Sequence, residues 1–179
     1  MNHIGSHDTA RILTRLGCER NGNREWQSAD RLGSEERAQA KRLLKTAAAL
    51  QYFLPGVPSL YYGDEAGMEG HGDPFCRGTY PWGHEDTELL EFYRALGRIR
   101  RSCPAFREGR FIPLYSDIGY VSFLREDDRD GIFITVNRWH ETAEITLPET
   151  YRNGTVLMGP QPCGDHIPLE GYGISVIRK

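Results

Sequence analysis

The chain has 179 residues with 22 basic against 25 acidic side chains, a net charge of -3, and is 39% hydrophobic and 26% charged, the composition of a folded globular protein. Such a balance offers no electrostatic footprint for nucleic acid or an anionic membrane surface, and no apolar run reaches the roughly 18 residues of a membrane helix. Cys18, Cys76, Cys103 and Cys163 lack the short paired spacings of metal knuckles and disulfide scaffolds and read as reduced thiols, and with no secretory signal visible the expected location is cytoplasmic.

Asn2-His3-Ile4-Gly5-Ser6-His7-Asp8-Thr9-Ala10-Arg11 reads as the end of a buried strand that delivers a histidine and a carboxylate to a site. Thr14 to Leu32, with Gly17, Asn21, Gly22 and Asn23, reads as a long polar loop without a regular element, of the kind found at functional faces. Ser34 then offers a cap with Glu35 and Glu36 in the first turn, and Ala40, Leu43, Leu44, Ala47, Ala48 and Leu54 follow at helical spacing until Pro55-Gly56. Pro58-Ser59-Leu60-Tyr61-Tyr62-Gly63 predicts a strand covered on both faces, ending in Asp64-Glu65. A glycine-rich loop carrying Asp73, Arg77 and Trp82 leads to a second amphipathic helix with Leu89, Phe92, Tyr93, Leu96 and Ile99 on one side. Arg98, Arg100 and Arg101 close that helix, where they complement its dipole, and Pro104 stops it.

From Gly109 the hydrophobic period falls from about 3.6 to 2. Strands are predicted near residues 111–115, 120–125, 132–137, 143–147, 155–158, 166–169 and 173–178. The turn Glu126-Asp127-Asp128-Arg129-Asp130-Gly131 joins two of them as a hairpin. This spacing predicts an antiparallel β-sandwich over residues 106–179, after a strand-helix part over residues 1–105. Two parallel strands with their helices cannot cover their own edges and faces. Residues 1–105 therefore read as the last two units of a (β/α)8 TIM barrel, whose loops after the strands build the active site. Unpaired strand edges also invite self-association into a homo-oligomer.

Several chemistries fit the polar residues at these strand ends. His7 and Asp8 reach one site only where the strand has ended and the backbone turns, and they read as a functional pair or as a structural histidine and a loop-capping aspartate. His3, His7 and Asp8 form a candidate metal set without a further ligand cluster. Ser6-His7-Asp8 is no hydrolytic triad, since three consecutive residues cannot converge in the required roles. Asp73 and Arg77 pair to order their loop or line a polar substrate, with Asp64-Glu65 facing the same mouth. Tyr61, Tyr62, Tyr80 and Trp82 are sugar-stacking candidates or loop anchors.

These residues resemble a known family. His3-Ile4-Gly5-Ser6-His7-Asp8-Thr9-Ala10-Arg11 resembles the fourth conserved motif of the alpha-amylase family of glycoside hydrolases, in the form of its neopullulanase, cyclomaltodextrinase and maltogenic amylase branch. Pro55-Gly56-Val57-Pro58-Ser59-Leu60-Tyr61-Tyr62-Gly63-Asp64-Glu65-Ala66-Gly67-Met68 is similar to that family's segment at the eighth barrel strand, and Asp73-Pro74-Phe75-Cys76-Arg77 with Trp82 to the loop that follows it. The resemblance covers essentially the whole chain and identifies it as a carboxyl-terminal fragment of such an enzyme. It implies a retaining hydrolase of α-1,4-linked glucans such as starch, pullulan, cyclodextrins and maltooligosaccharides, with no cofactor. Asp8 would stabilise the oxocarbenium-like transition state, while His7, Asp73 and Arg77 would contact sugar units. The family's nucleophile and acid/base lie on earlier barrel strands, so the chain alone is expected to be inactive. The competing expectation is a noncatalytic carbohydrate-binding or docking module with Trp139, Tyr151 and Tyr172 as its aromatic platform.

Overall fold

The computed structural model describes residues 1–18 and 20–179. The chain divides into two compact units, Met1–Gln51 with Gly56–Ala95, and Tyr52–Pro55 with Leu96–Lys179.

Among the described residues of the first unit the two expected strands are reduced to a single parallel bridge between Asn2 and Pro58. Asn2 N donates to Val57 O at 2.8 Å and Ser59 N to Asn2 O at 2.8 Å. Gln51 holds this bridge from the side, its Nε2 donating to Asn2 O and Ser59 O. Beyond it the chain turns rather than extends: Ala66 N and Met68 N both reach Gly63 O, and Gly67 N reaches Asp64 O. Gly63 and Gly67 supply the positive φ this requires, +86° and +72°, a region that costs a side chain bearing a Cβ.

Among its described residues the span Thr14–Leu32, expected to lack regular elements, holds most of one short helix, α1 (Ile12–Gly17), and all of another, α2 (Arg24–Ala29), while Glu19 lies outside the described residues. Burial of Ile12 and Leu13 stabilises the first. The second begins at Asn23, whose side chain accepts from Trp26 N at 2.9 Å, so that a residue read as a turn former serves as a helix cap. Helix α3 (Ser34–Phe53) follows the predicted periodicity, and Ile12, Leu13, Ala40, Leu44 and Leu89 form the core. Helix α4 (Thr87–Ser102) is capped by Asp86, whose Oδ1 accepts from Leu89 N at 3.2 Å. Asp86 also pairs with Lys41 at 2.9 Å and Arg37 at 3.3 Å, and Glu88 with Lys41 and Lys45. The acids at the start of α4 therefore hold two helices together besides complementing a dipole.

In the second unit a short helix α5 (Ala105–Glu108) precedes seven strands, β1 (Arg110–Ser116), β2 (Tyr120–Glu126), β3 (Gly131–Asn137), β4 (Ala143–Thr146), β5 (Thr155–Met158), β6 (His166–Leu169) and β7 (Ile174–Arg178). All pairings between them are antiparallel, in a five-stranded sheet ordered β1-β2-β3-β7-β5 and a two-stranded sheet β4-β6. Leu124, Phe133 and Ile177 of the larger sheet share one core with Ile145, Ile167 and Leu169 of the smaller and with Tyr151, which is the two-layer packing of a sandwich. The hairpin turn forms as expected, with Asp127 Oδ1 accepting from Arg129 N and Asp130 N. Arg125, 3% exposed, donates to the carbonyls of Phe53, Phe106 and Gly109, and Phe53 stacks on Phe106 at 5.0 Å.

Candidate functional site

At His7 and Asp8 the backbone is turning, with Thr9 N reaching Ser6 O at 3.4 Å and Asp8 N reaching Ser6 Oγ at 3.3 Å. That turn lets adjacent side chains share one site: His7 Nε2 lies 3.2 Å from Asp8 Oδ1, with the two side chains 61% and 70% exposed. The loop after Gly72 comes to meet them. Arg77 Nε is 2.5 Å from Asp73 Oδ1, and Arg77 Nη2 is 3.6 Å from Asp8 Oδ1. Cys76 donates its thiol hydrogen to His7 O at 3.2 Å. His7, Asp8, Asp73 and Arg77 are thus brought together, with one guanidinium between two carboxylates. Carboxylates accept and Arg donates, so this exposed set matches the mixed hydrogen bonding of sugar hydroxyls.

Asp64 does not face that mouth. It is 1% exposed, and its Oδ1 accepts from Arg11 Nη1 at 3.2 Å. Arg11, equally buried, lies over Tyr61 at 4.2 Å and Tyr62 at 4.6 Å, donates to Tyr62 O and receives no acceptor at Nε or Nη2. Burial pushes the Asp64 carboxyl up to about 6; attraction to Arg11 opposes this, and Glu65 adds repulsion. Desolvation outweighs pairing here, as it often does for ion pairs taken out of water. Glu65 itself turns back to accept from Gly63 N at 2.9 Å.

The aromatic candidates separate in the same way. Tyr61 and Tyr62 are occupied under Arg11, and Tyr62 Oη donates to Gly78 O at 2.8 Å. Trp82 is 80% exposed with its ring 4.5 Å from that of Tyr80. Tyr151, expected on a binding platform, is buried in the sandwich core and donates to Glu126 Oε1 at 2.8 Å. Its ring is closed to ligands, which leaves the half-exposed Trp139 and the partly buried Tyr172, joined by Tyr172 N donating to Trp139 O. Among the described residues no group of three or more His, Cys, Asp or Glu side chains is placed to hold a metal ion.

No protein-family model matches the chain. Individual relatives do. The amylopullulanase of Thermoanaerobacter thermohydrosulfuricus is 42% identical over 127 residues, 70% of this chain and 8% of that protein, and a cyclomaltodextrinase from a Bacillus species is 34% identical over 140 residues, 76% of this chain and 21% of that one. Among solved structures, the cyclic α-maltosyl-(1→6)-maltose hydrolase of Arthrobacter globiformis in complex with cyclic α-maltosyl-(1→6)-maltose matches 99% of this chain and 34% of its own, with a TM-score of 0.72 at 25% identity. The chain belongs to the alpha-amylase family of glycoside hydrolases.

It spans 8% and 21% of the lengths of these two curated relatives. Arg11, although part of the family motif quoted above, was not legible as a keystone, because nothing local marks an arginine for burial. The available signal was its position beside apolar Ile12 and Leu13, in a segment whose partner segment offers two tyrosines and an aspartate.

Proposed function

We propose that this chain supplies part of the active site of a retaining hydrolase of α-1,4-linked glucans. The observation that carries the reading is the bridge of Arg77 to both Asp73, at 2.5 Å, and Asp8, at 3.6 Å, beside His7. In this reading residues 1–105 are the last two strand-helix units of a (β/α)8 barrel and residues 106–179 its carboxyl-terminal β-sandwich. The Asn2–Pro58 bridge is the point where its two final strands pair, and the His7 and Arg77 loops lie on the side beyond those strands, where barrel enzymes bind substrate.

Asp8 stabilises the oxocarbenium-like transition state, and its hydrogen bonds to sugar hydroxyls accelerate the reaction insofar as they strengthen there. His7 holds a hydroxyl of the same sugar. Asp73 and Arg77 hold the neighbouring unit, and the pairing of Arg77 with both carboxylates fixes their spacing before substrate arrives. The nucleophile and the acid/base are carboxylates on other segments of a longer protein. The similar proteins, among them an amylopullulanase, a cyclomaltodextrinase and a hydrolase in complex with a cyclic maltosyl saccharide, support the glucan class.

The test has two arms. Purified 179-residue chain is expected to release no reducing sugar from maltodextrin, pullulan or cyclodextrin; measurable hydrolysis would overturn the placement of both catalytic carboxylates elsewhere. In a longer active protein containing this sequence, Asp8→Asn is expected to lower kcat by several orders of magnitude with the fold intact. An unchanged rate would remove Asp8 from the mechanism.

A further inference from the structure

One buried carboxylate touches both flanks of the turn that carries His7 and Asp8. Asp64 Oδ1 accepts from Arg11 Nη1, three residues after Asp8. Asp64 Oδ2 lies against Gly5, two residues before His7, so closely that a Cβ at Gly5 would sit 2.9 Å from it. The residues between these flanks are held by weak local bonds of 3.3 to 3.4 Å among Ser6, Asp8 and Thr9, by the Cys76 thiol and by the exposed pairing of Asp8 with His7 and Arg77. Arg11 is well anchored in turn, stacked over Tyr61 and Tyr62 and with its backbone N donating to Gly70 O at 2.8 Å.

The second oxygen makes the arrangement informative. Oδ2 is buried with no hydrogen-bond donor, which costs free energy that an ion pair kept for stability alone would avoid by recruiting one. Its contact is instead with the one residue type that leaves it room. Sequence around Gly5 is therefore constrained by Asp64, fifty-nine positions away, and not by its own backbone, since Gly5 is absent from the positive-φ positions.

We propose that Asp64 is a positioning residue: one oxygen paired with Arg11 and the other packed on Gly5, it staples the two ends of the His7–Asp8 turn and sets where that pair stands relative to Arg77. The staple is a matter of shape and acceptor placement, so an amide of the same size replaces the carboxylate. Its consequence for sugar binding rests on the function proposed above; the staple itself does not.

The experiment uses the isotopically labelled 179-residue chain and nuclear magnetic resonance. Asp64→Ala is expected to displace the amide signals of Ser6 to Thr9 and to speed their hydrogen exchange at least tenfold, while Asp64→Asn keeps both at wild-type values. Gly5→Ala, which removes no buried partner, covers the case in which Asp64→Ala fails to fold, and is expected to move the Arg11 Nε signal and the His7 ring signals together. The staple is overturned if Gly5→Ala leaves Arg11 Nε unchanged, or if Asp64→Asn disturbs the turn as much as Asp64→Ala. Maltoheptaose titration separates the two ideas. A His7 ring response weakened at least fivefold by Gly5→Ala supports both; a wild-type chain whose His7 ring ignores maltoheptaose defeats the glucan reading, and the staple is then decided by the exchange and shift data alone.

Discussion

Replacing Asp64 by asparagine tests whether the buried pair stabilises the chain or only shapes it. The Asp64 carboxyl rises from 3.8 to about 6, and each tenfold change in proton affinity corresponds to about 1.4 kcal/mol, so the displacement amounts to about 3 kcal/mol. With the folded value above the unfolded one, the native chain holds more protons between pH 3.8 and about 6. Stability from this group is fully present below 3.8, is lost as pH rises to about 6, and is flat above. Glu88 works the other way: hydrogen bonds from Lys41 and Lys45 lower its carboxyl from 4.5, and that contribution is lost as pH falls below 4.5. The difference between wild type and Asp64→Asn cancels Glu88 and isolates Asp64. The assay is native-state hydrogen exchange at the Arg11 and Gly70 amides, which bond to Gly70 O and Thr14 Oγ1, corrected for intrinsic exchange and run from pH 4 to pH 7.5. We expect a wild-type opening free energy that falls by about 3 kcal/mol relative to the variant across that window, and a variant no less stable at pH 7. A variant that instead loses about 3–5 kcal/mol at pH 7, the usual cost of stranding one member of a favourable buried pair, would show that attraction to Arg11 exceeds desolvation and refute the reasoning.

In the sandwich, Arg125→Ala withdraws donors from the carbonyls of Phe53, Phe106 and Gly109 and is expected to cost about 3 kcal/mol or more in urea unfolding; a loss under about 1 kcal/mol would show water replacing all three bonds. Tyr151→Phe keeps the core ring and removes the bond to Glu126, for an expected loss of about 1 kcal/mol by thermal melting, whereas Tyr151→Ala opens a cavity and should cost about 3–5 kcal/mol. Trp139→Ala is expected to leave maltoheptaose binding unchanged, because the proposed function puts sugar binding at His7 and Arg77; saturable binding abolished by that change would favour the noncatalytic module.

The sandwich was legible because its signals are local. Alternation in Tyr120-Val121-Ser122-Phe123-Leu124, the Asp127 turn and frequent punctuation mark strands wherever neighbouring strands supply partners, and each expected strand has its counterpart within a residue or so at either end. Parallel strands lack such local marks, since their pairing depends on partners distant in sequence. Pro58 to Gly63 has the composition of a covered strand, yet among the described residues it finds a single parallel partner at Asn2, and the backbone beyond satisfies itself through turns at Gly63 and Gly67. The site divides along the same line. His7, Asp8, Asp73 and Arg77 are polar residues at predicted strand ends and in loops, positions that chain order alone suggests. Asp64 sits at a strand end as well, next to Glu65, and nothing in its neighbourhood distinguishes it from them. Its burial comes from Arg11 and Gly5 arriving from the other end of the unit, and the same closure converts an apparent mouth residue into the group against which the mouth is aligned. A carboxylate's place in the sequence thus proposes that it does chemistry, while its burial decides whether it touches substrate or holds the groups that do.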